Sequence, residues 1–232
     1  MPLPEDPELR RIARFWDARA REDARRYSVP GGARVGEATF EGAGEAVLSA
    51  LEATLGWSAE GAAVALDLGC GAGRLTPALA ARADQVVAVD VAPGMLDAAR
   101  QRVGSTDAVS YLHADAGEVT GLPAAWVDVA LVLGVLPHLP TVKLVAAVLH
   151  ELGRLLAPGG SAVFDVRSAD PALVLPGEDD LPAHVAGHPL WRGTIVDLET
   201  LAALAHQAEL VVERIEGSGT ARCLVLVRRE EH

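Results

Sequence analysis

The sequence has few lysines and few cysteines, and each shortage argues against a class of protein. Lys143 is the one lysine beside nineteen arginines, and the formal net charge is −12. Such an acidic chain is repelled by a phosphate backbone, and no basic run with interleaved aromatics offsets that repulsion, so we expect no nucleic-acid partner. Cys70 and Cys223 lie far apart and form neither a zinc spacing nor a redox pair, so we expect no metal site.

Long apolar runs are also missing, although half of the residues are hydrophobic. The longest uninterrupted run, residues 129–137, is far shorter than the ~20 residues that cross a bilayer. The N-terminal MPLPEDPELRR lacks the charged-then-apolar pattern of a signal peptide, so we expect no membrane partner and a cytoplasmic location. The length suits one α/β domain, residues 61–232, preceded by an N-terminal helical cap, residues 1–60.

The chain is organised around residues 62–74, AAVALDLGCGAGR. An apolar run ends at Asp67, glycine occupies every second position from Gly69 to Gly73, and helix-compatible residues follow. This pattern predicts a strand, a glycine turn and a helix. Glycines permit left-handed dihedrals and the close approach of a ligand. The spacing G-x-G-x-G differs from the dinucleotide fingerprint, and the Asp67 carboxylate suits a cation better than a pyrophosphate. A nucleoside with a cationic tail fits best, which leaves a nicotinamide oxidoreductase as a third alternative.

An acid also ends the second predicted strand. Residues 85–89 form a β-branched run before Asp90, which stands 23 residues after Asp67. This separation is expected for an acid that accepts hydrogen bonds from both ribose hydroxyls, and a carboxylate suits that role because it can accept from two donors at once. The alternative is that Asp90 caps the helix beginning near Pro93, and the two roles are compatible.

Periodicity predicts most of the remaining elements. Apolar residues at helical spacing indicate helices over residues 7–26, 45–56, 141–157 and 197–208, the last of them capped by Asp197. Strand patterns indicate residues 109–113 and 126–133, and an antiparallel hairpin of residues 210–215 with 223–227.

The glycine turn resembles the first motif of the class I S-adenosylmethionine (SAM)-dependent methyltransferases. That motif is D/E-x-G-x-G-x-G, and here it is Asp67-Leu68-Gly69-Cys70-Gly71-Ala72-Gly73. The resemblance extends from about Val64 to the C-terminus. It implies a Rossmann-like three-layer α/β fold with a mostly parallel seven-stranded sheet of order 3-2-1-4-5-7-6, an antiparallel last strand and an N-terminal helical cap. It also implies SAM as the cofactor and S-adenosylhomocysteine (SAH) as the product.

The same resemblance assigns residues to the cofactor. It places Met95 against the adenine. It also implies that Asp115 accepts a hydrogen bond from the adenine amino group, while a neighbouring backbone N–H donates to a ring nitrogen. The full implied set is Asp67, Gly69, Cys70, Gly71, Gly73, Asp90, Val91, Met95, Asp115, Ala116 and Leu133.

The loop after the fourth predicted strand, residues 134–139, carries the candidate base. It has neither the D/N-P-P-Y/F segment of amino-methylating DNA enzymes nor the Pro-Cys nucleophile of cytosine C5 enzymes, which favours a small-molecule acceptor. It resembles the V-L-H-H-L segment of small-molecule methyltransferases, with Pro137 in place of the first histidine. We expect His138 to accept the proton of a hydroxyl acceptor, because an imidazole pKa near ~6.5 allows this at neutral pH. The alternative is a core or solvated histidine.

Two further segments supply candidates for the acceptor pocket. N-terminal helices cap the cofactor in the methyltransferases that the chain resembles, and we interpret the irregular residues 168–193 as a substrate lid. Plain packing is the alternative for the N-terminal aromatics, and salt bridging within the fold is the alternative for Asp165 and Arg167. The candidates are Phe15, Trp16, Tyr27, Arg167, His188 and Trp191, and His184 and His188 are lesser candidates for the base.

The sequence therefore predicts an enzyme that moves a methyl group from SAM to an O, N or C atom of a small molecule. Such an in-line displacement needs proximity, orientation and a deprotonated acceptor rather than a covalent nucleophile. The alternative is a SAM-binding protein without methyl transfer, either a regulatory binder or an aminopropyl-type transferase, although residues 134–139 contain no carboxylate for a polyamine. We expect a monomer or a homodimer.

Overall fold

The computed structural model describes residues 6–104, 106–167, 177–218 and 220–231. The helices in these residues are α1 (Pro7–Tyr27), α2 (Glu37–Leu55), α3 (Thr76–Ala80), α4 (Pro93–Val103), α5 (Val142–Leu155), α6 (Ala183–Ala186), α7 (Pro189–Arg192) and α8 (Leu198–Gln207). The strands are β1 (Val64–Leu68), β2 (Gln85–Asp90), β3 (Val109–His113), β4 (Val127–Val132), β5 (Leu156–Arg167), β6 (Leu210–Glu216) and β7 (Arg222–Arg229).

The strands form one seven-stranded sheet in the order β3-β2-β1-β4-β5-β7-β6, with β7 antiparallel to both of its neighbours. The predicted sheet order and the predicted hairpin are confirmed. Alternate residues of each central strand enter different cores: Leu66 packs with α5 and α8 on one face, and Ala65 packs with α2 and α3 on the other. Both faces are buried, as expected of a parallel sheet between helical layers.

Helix α2 begins eight residues earlier than the predicted helix over residues 45–56. The prediction was short because Gly42 and Gly44 lower the helix propensity of residues 37–44. Tertiary contacts offset that cost. Phe40 is buried, and a Cβ at Gly44 would lie 2.9 Å from the Arg74 carbonyl oxygen, so glycine lets α2 approach the start of α3 closely.

Helix α5 is shorter than predicted, because it ends at Leu155 and β5 starts at the next residue. Pro158 disfavours helical dihedrals at Ala157, so the chain is extended before the two glycines instead of after them. At the other end, Thr141 caps the helix through a hydrogen bond from the Leu144 N–H, at 3.4 Å. The predicted cap of α8 is confirmed, since Asp197 accepts the Thr200 N–H at 2.8 Å.

The expectation of an irregular segment over residues 168–193 is wrong for residues 177–193. These residues include the short helices α6 and α7, and Leu181, Val185, Leu190 and Trp191 enter the core. Residues 168–176 lie outside the described residues, and so does that part of the lid interpretation. Apolar anchors every few residues, which the sequence analysis did not count, explain the order of this segment.

The N-terminal helices are continuous with the rest of the fold. Ile12 and Phe15 of α1 belong to the same core as the sheet, and α1 packs against α4. The boundary at residue 60 stays a prediction. No helix of the described residues is both long enough and apolar enough for a membrane crossing. Cys70 and Cys223 are buried free thiols.

Candidate functional site

A cleft of about 990 Å³, open to solvent, lies at the carboxyl ends of β1, β2, β3 and β4. Ligands of open α/β sheets bind at this edge. Helix α1 and the residues that follow it close the cleft from the N-terminal side.

The glycine turn after β1 forms the floor of this cleft. Gly69 and Gly71 have φ of 78° and 55°, in the left-handed region that favours glycine. A Cβ at Gly69 would lie 2.1 Å from Val135 Cγ2, and one at Gly71 would lie 2.5 Å from Ser28 Oγ. Side chains are therefore excluded from both positions.

The third glycine of the motif has surroundings different from those of the first two. Gly73 does not line the cleft. Its φ is 73°, and a Cβ there would lie 3.2 Å from Ala99 Cβ and 3.0 Å from Val103 Cγ2. Gly73 therefore lets the turn pack closely against α4, and its predicted contact with the cofactor stays a prediction.

Three carboxyl groups line the cleft, each at the end of a neighbouring strand. Asp67 is in β1, Asp90 ends β2, and Asp115 follows β3. Because β1, β2 and β3 are adjacent in the sheet, the three groups form a row along its edge.

Each carboxylate already accepts a hydrogen bond from the chain. Asp67 Oδ2 accepts from the Thr76 hydroxyl at 2.6 Å, and Asp115 Oδ1 accepts from the Gly117 N–H at 2.8 Å. Asp90 accepts from Gly71 N–H through Oδ2 and from Ala92 N–H through Oδ1, both at 2.9 Å. Asp90 thus fixes the glycine turn and the approach to α4 rather than capping α4 itself, whose N-cap residue is Ala92.

Burial makes these carboxyl groups weaker acids than usual. Removal from water raises the pKa of Asp67 to about 6, against the opposing effects of Thr76 and Arg74. Burial likewise raises the pKa of Asp90 to about 6, although the N–H groups of Ala92 and Gly71 stabilise its charged form. Burial also raises the pKa of Asp115. A bound cation would favour the charged forms, so the row is suited to a positively charged ligand.

The other residues of the predicted cofactor set, Gly73 apart, also line the cleft. Burial and the charges of Asp90 and Asp67 raise the pKa of the Cys70 thiol well above its ordinary value, so Cys70 is not a nucleophile at neutral pH. Met95 is buried, 3.9 Å from the Ser28 hydroxyl. The set of these remaining residues is Cys70, Val91, Met95, Ala116 and Leu133.

His138 lines the same cleft on the side of β4, where its ring lies 5.0 Å from the Trp16 ring and 4.8 Å from the Trp191 ring. Its Nδ1 is 2.7 Å from the Trp191 carbonyl oxygen. A carbonyl only accepts, so Nδ1 carries the proton and Nε2 carries the free lone pair. Burial lowers the pKa of His138 to about 4, which corrects the value near ~6.5 expected for an unperturbed imidazole.

Two of the six acceptor candidates, Trp16 and Tyr27, line the cleft, and the other four do not. Phe15 is buried and stacks on His188, with ring centroids 4.4 Å apart. Trp191 packs behind Trp16 and Tyr27, at 6.0 Å from each ring.

The remaining charged candidates lie beside charged residues of the chain itself. Arg167 forms an ion pair with Glu178 at 2.9 Å, and Asp165 pairs with Arg222, as the salt-bridge alternative predicted. His184 is exposed, 3.7 Å from Glu22.

Ser28, Arg74 and Arg222 also line the cleft, although no sequence motif predicted them as site residues. Ser28 Oγ accepts the Ala72 N–H at 2.8 Å and so supports the glycine turn, but no local pattern marks it. Arg74 follows the glycine motif directly, and that position could have identified it. No group of three or more His, Cys, Asp or Glu side chains suited to a metal ion occurs in the part of the chain that the structure describes.

Part of this cleft lies in a segment that is similar to known proteins. The family described as "Methyltransferase domain" matches residues 66–164. Malonyl-[acyl-carrier protein] O-methyltransferase of Serratia marcescens is 40% identical over 107 residues, which are 45% of this chain and 38% of that protein. Ubiquinone biosynthesis O-methyltransferase of Xanthomonas oryzae is 30% identical over 161 residues, or 66% of this chain and 64% of that protein. The chain spans about half the length of the first curated relatives it matches.

A solved structure has the same fold. The 1,6-didemethyltoxoflavin-N1-methyltransferase of Burkholderia thailandensis, with SAH bound, superposes with a TM-score of 0.64 at 22% identity, over 100% of this chain and 93% of that chain. The family match contains the glycine turn and the ends of all three strands that carry the row of carboxyl groups. Residues 66–164 therefore match the methyltransferase domain family, and the chain as a whole has the fold of a SAM-dependent methyltransferase.

Proposed function

We propose that the protein transfers a methyl group from SAM to a small-molecule acceptor. The row of Asp67, Asp90 and Asp115 beneath the glycine turn carries this proposal. Asp67 would hold the ammonium of the methionyl tail, Asp90 the ribose hydroxyls and Asp115 the adenine amino group. These three parts of SAM are all hydrogen-bond donors, and ionised carboxylates are acceptors only.

The residues present fit this cofactor. A carboxylate has about four lone-pair sites, and Asp90 uses one on each oxygen for backbone N–H groups, so acceptor capacity remains for the ribose. Gly69 and Gly71 leave the floor of the cleft free of side chains. Bound SAM supplies a sulfonium-activated methyl group for in-line displacement.

The chain's own residues then position and deprotonate the acceptor. Trp16 and Tyr27 provide an aromatic wall that excludes water, and the His138 imidazole is neutral at neutral pH with Nε2 unprotonated. We propose that Nε2 takes the proton of a hydroxyl acceptor. Relatives named as O-methyltransferases support an oxygen atom among the possible methyl acceptors.

We also propose a cytoplasmic location and a monomeric or homodimeric state. The two buried free thiols support a reducing compartment. Sedimentation of the purified protein distinguishes the two oligomeric states.

The test is an incubation of the purified protein with methyl-labelled SAM and pools of small hydroxyl, amine and carbon-acid acceptors. The proposal expects label in an acceptor and an equal amount of SAH. Binding of SAM without transfer to any pool would favour the regulatory binder, and transfer of an aminopropyl group would favour the other alternative.

Asp90→Ala tests the cofactor assignment by calorimetry with SAH. We expect binding to weaken by about 1–3 kcal/mol, because charge-assisted hydrogen bonds are lost. Asp97→Ala is the matched control, since Asp97 is exposed on α4 and pairs with Arg100 at 3.1 Å. Equal SAH affinity in parent and Asp90→Ala would remove Asp90 from the site.

A further inference from the structure

The His138 ring is oriented by a backbone group rather than by a carboxylate. Its Nδ1 is 2.7 Å from the Trp191 carbonyl oxygen, and this hydrogen bond selects the tautomer with the proton on Nδ1. Without the carbonyl in this place, the proton is free to occupy either ring nitrogen, and Nε2 is no longer always the nitrogen with a free lone pair. The position of the Trp191 carbonyl therefore decides which nitrogen accepts a proton.

The end of α7 is packed against the segment that carries this histidine. The Thr194 N–H donates to the Leu139 carbonyl oxygen at 2.7 Å. A Cβ at Gly193, whose φ is 57°, would lie 2.1 Å from the Pro137 carbonyl oxygen, so glycine permits this close approach. The two backbones are therefore fixed relative to each other.

A side chain from β5 holds the same carbonyl group. Arg167 Nη2 donates to the Trp191 carbonyl oxygen at 3.5 Å and to Glu178 Oε1 at 2.9 Å. A carbonyl oxygen has two lone pairs, so it accepts from Arg167 and from His138 at the same time. Both side chains of the ion pair are mostly buried, with exposed fractions of 14% and 12%. The guanidinium thus joins the end of β5 to the carbonyl that orients His138.

The charge of Arg167 also acts on the imidazole. Burial has the largest effect on the pKa of His138 and lowers it to about 4, against the hydrogen bond to the carbonyl. The charge of Arg167 lowers this pKa as well, while Asp165 raises it and Arg222 lowers it. The aromatic rings of α1 and α7 that pack against the imidazole carry no charge. Loss of the Arg167 charge should therefore raise the pKa of His138.

We propose that Arg167 is a positioning residue for methyl transfer, because it holds the Trp191 carbonyl that keeps the proton of His138 on Nδ1 and leaves Nε2 free for the acceptor. Arg167 does not line the cleft, so it acts through His138 and not on the acceptor. Glu178 neutralises the guanidinium and fixes its orientation. This inference rests on the proposed function, in which Nε2 takes the proton of a hydroxyl acceptor.

The tautomer is measured without knowledge of the acceptor. The full chain is labelled with ¹⁵N-histidine, and NMR distinguishes a protonated ring nitrogen from an unprotonated one. The chain has seven histidines, so the signals of His138 are assigned by comparison with His138→Ala. Spectra between pH 5 and pH 8 show both the tautomer and the onset of protonation.

Arg167→Met removes the charge and the donors but keeps an unbranched side chain. It leaves Glu178 mostly buried without this partner, which is costly, so Arg167→Met/Glu178→Gln removes both charges. Thermal unfolding checks both proteins, and the double variant decides the test if Arg167→Met does not fold. Arg167→Lys keeps the charge. Arg192→Met is the matched control, because Arg192 is exposed on α7 and donates to a different carbonyl, that of Ala186, at 3.1 Å.

In the parent we expect one neutral tautomer, with the proton on Nδ1, throughout this pH range. Arg167→Met and the double variant should populate the other tautomer and begin to protonate within the range. Arg167→Lys should recover part of the parent spectrum, and Arg192→Met should match it. With hydroxyl acceptors in the methyl-transfer assay, loss of Arg167 should lower kcat about tenfold or more and change KM and SAH affinity less than about twofold.

The inference is overturned if the folded Arg167→Met protein has the tautomer, the pKa and the kcat of the parent. A loss of stability with an unchanged histidine spectrum overturns it too, because Arg167 then only stabilises the fold. A changed spectrum with an unchanged kcat likewise removes Arg167 from the reaction. A parent that transfers no methyl group from SAM, or a His138→Ala protein with the rate of the parent, contradicts the proposed function instead, so the two failures are distinguishable.

Discussion

The cleft has two halves of different construction. The cofactor half is made by consecutive strand ends, with Asp67, Asp90 and Asp115 on neighbouring strands. The acceptor half brings together segments far apart in the chain: α1, residues 134–139 and, behind them, α7. The first half is therefore specified by local sequence and the second by tertiary packing.

Burial acts on both halves with opposite effects on charge. It raises the pKa of Asp67 and Asp90 to about 6 and lowers the pKa of His138 to about 4, because low polarity disfavours the charged form of either group. At neutral pH the carboxylates are still charged and the imidazole is neutral. The cofactor half thus suits a cation, and the acceptor half suits a neutral group that donates a hydrogen bond to the unprotonated imidazole.

The largest effect on turnover is expected for His138→Ala. If Nε2 takes the acceptor's proton, turnover of a hydroxyl acceptor falls about a hundredfold or more, as for the loss of a general base, while SAH affinity stays unchanged. Initial rates and calorimetry measure the two quantities. His184→Ala is the control, because His184 is exposed. If His138→Ala has the rate of the parent at every pH, His138 is not the base and only packs in the acceptor half.

Gly69→Ala tests whether the two halves are independent. Its φ of 78° strains any side chain, and the new Cβ would lie 2.1 Å from Val135 Cγ2 on the acceptor side. We expect SAH affinity to fall about tenfold or more, with a loss of about 1–3 kcal/mol in the free energy of unfolding.

Gly56→Ala is the matched control, since Gly56 has a φ of 70° and nothing within 4 Å of its Cβ position. It measures strain without the clash. The double variant Gly69→Ala/Val135→Ala should recover part of the SAH affinity. If it recovers nothing, contact between the halves is not the cause.

The same division explains what could be predicted from the sequence. Asp67, Gly69, Gly71 and Asp90 were found because glycine spacing and strand length fix them locally. The sequence could not show that Trp16 lines the cleft while Phe15 and Trp191 do not. All three are large aromatic residues, and only tertiary packing decides which of them lines the cleft.

The two missed arginines make the same point for charged residues. Arg74 and Arg222 are 148 residues apart in the sequence, and they are brought together only when β7 inserts beside β5. The lowered pKa of His138 could not be predicted from the sequence either, because it depends on burial of the ring by α1 and α7.

SAH affinity should decrease at acidic pH. Asp67 and Asp90 are both protonated in the free protein below about pH 6, and the proposed contacts with the ammonium and the ribose favour their charged forms. SAH affinity should therefore be constant above pH 7 and fall below pH 6 by up to about tenfold per pH unit for each of the two groups. Calorimetry between pH 5 and pH 8 measures this dependence.

Thr76→Val sharpens this test. The Thr76 hydroxyl lowers the pKa of Asp67, so its removal should move the onset of the loss to higher pH. Affinity that does not change with pH in either protein would show that Asp67 does not meet the ammonium.

Tyr27→Phe should have the smallest effect. The Tyr27 hydroxyl donates to Glu22 Oε1 at 2.7 Å, and burial followed by Glu22 raises the pKa of Tyr27 to about 12, so the hydroxyl stays protonated. Its loss should cost about 0.5–1.5 kcal/mol in urea unfolding, the net worth of one hydrogen bond, and leave SAH affinity unchanged. The ring still forms its part of the aromatic wall, so kcat/KM should change less than about twofold. A larger fall in kcat/KM without a loss of stability would mean that the hydroxyl contacts the acceptor, and then the acceptor half selects its ligand by hydrogen bonding as the cofactor half does.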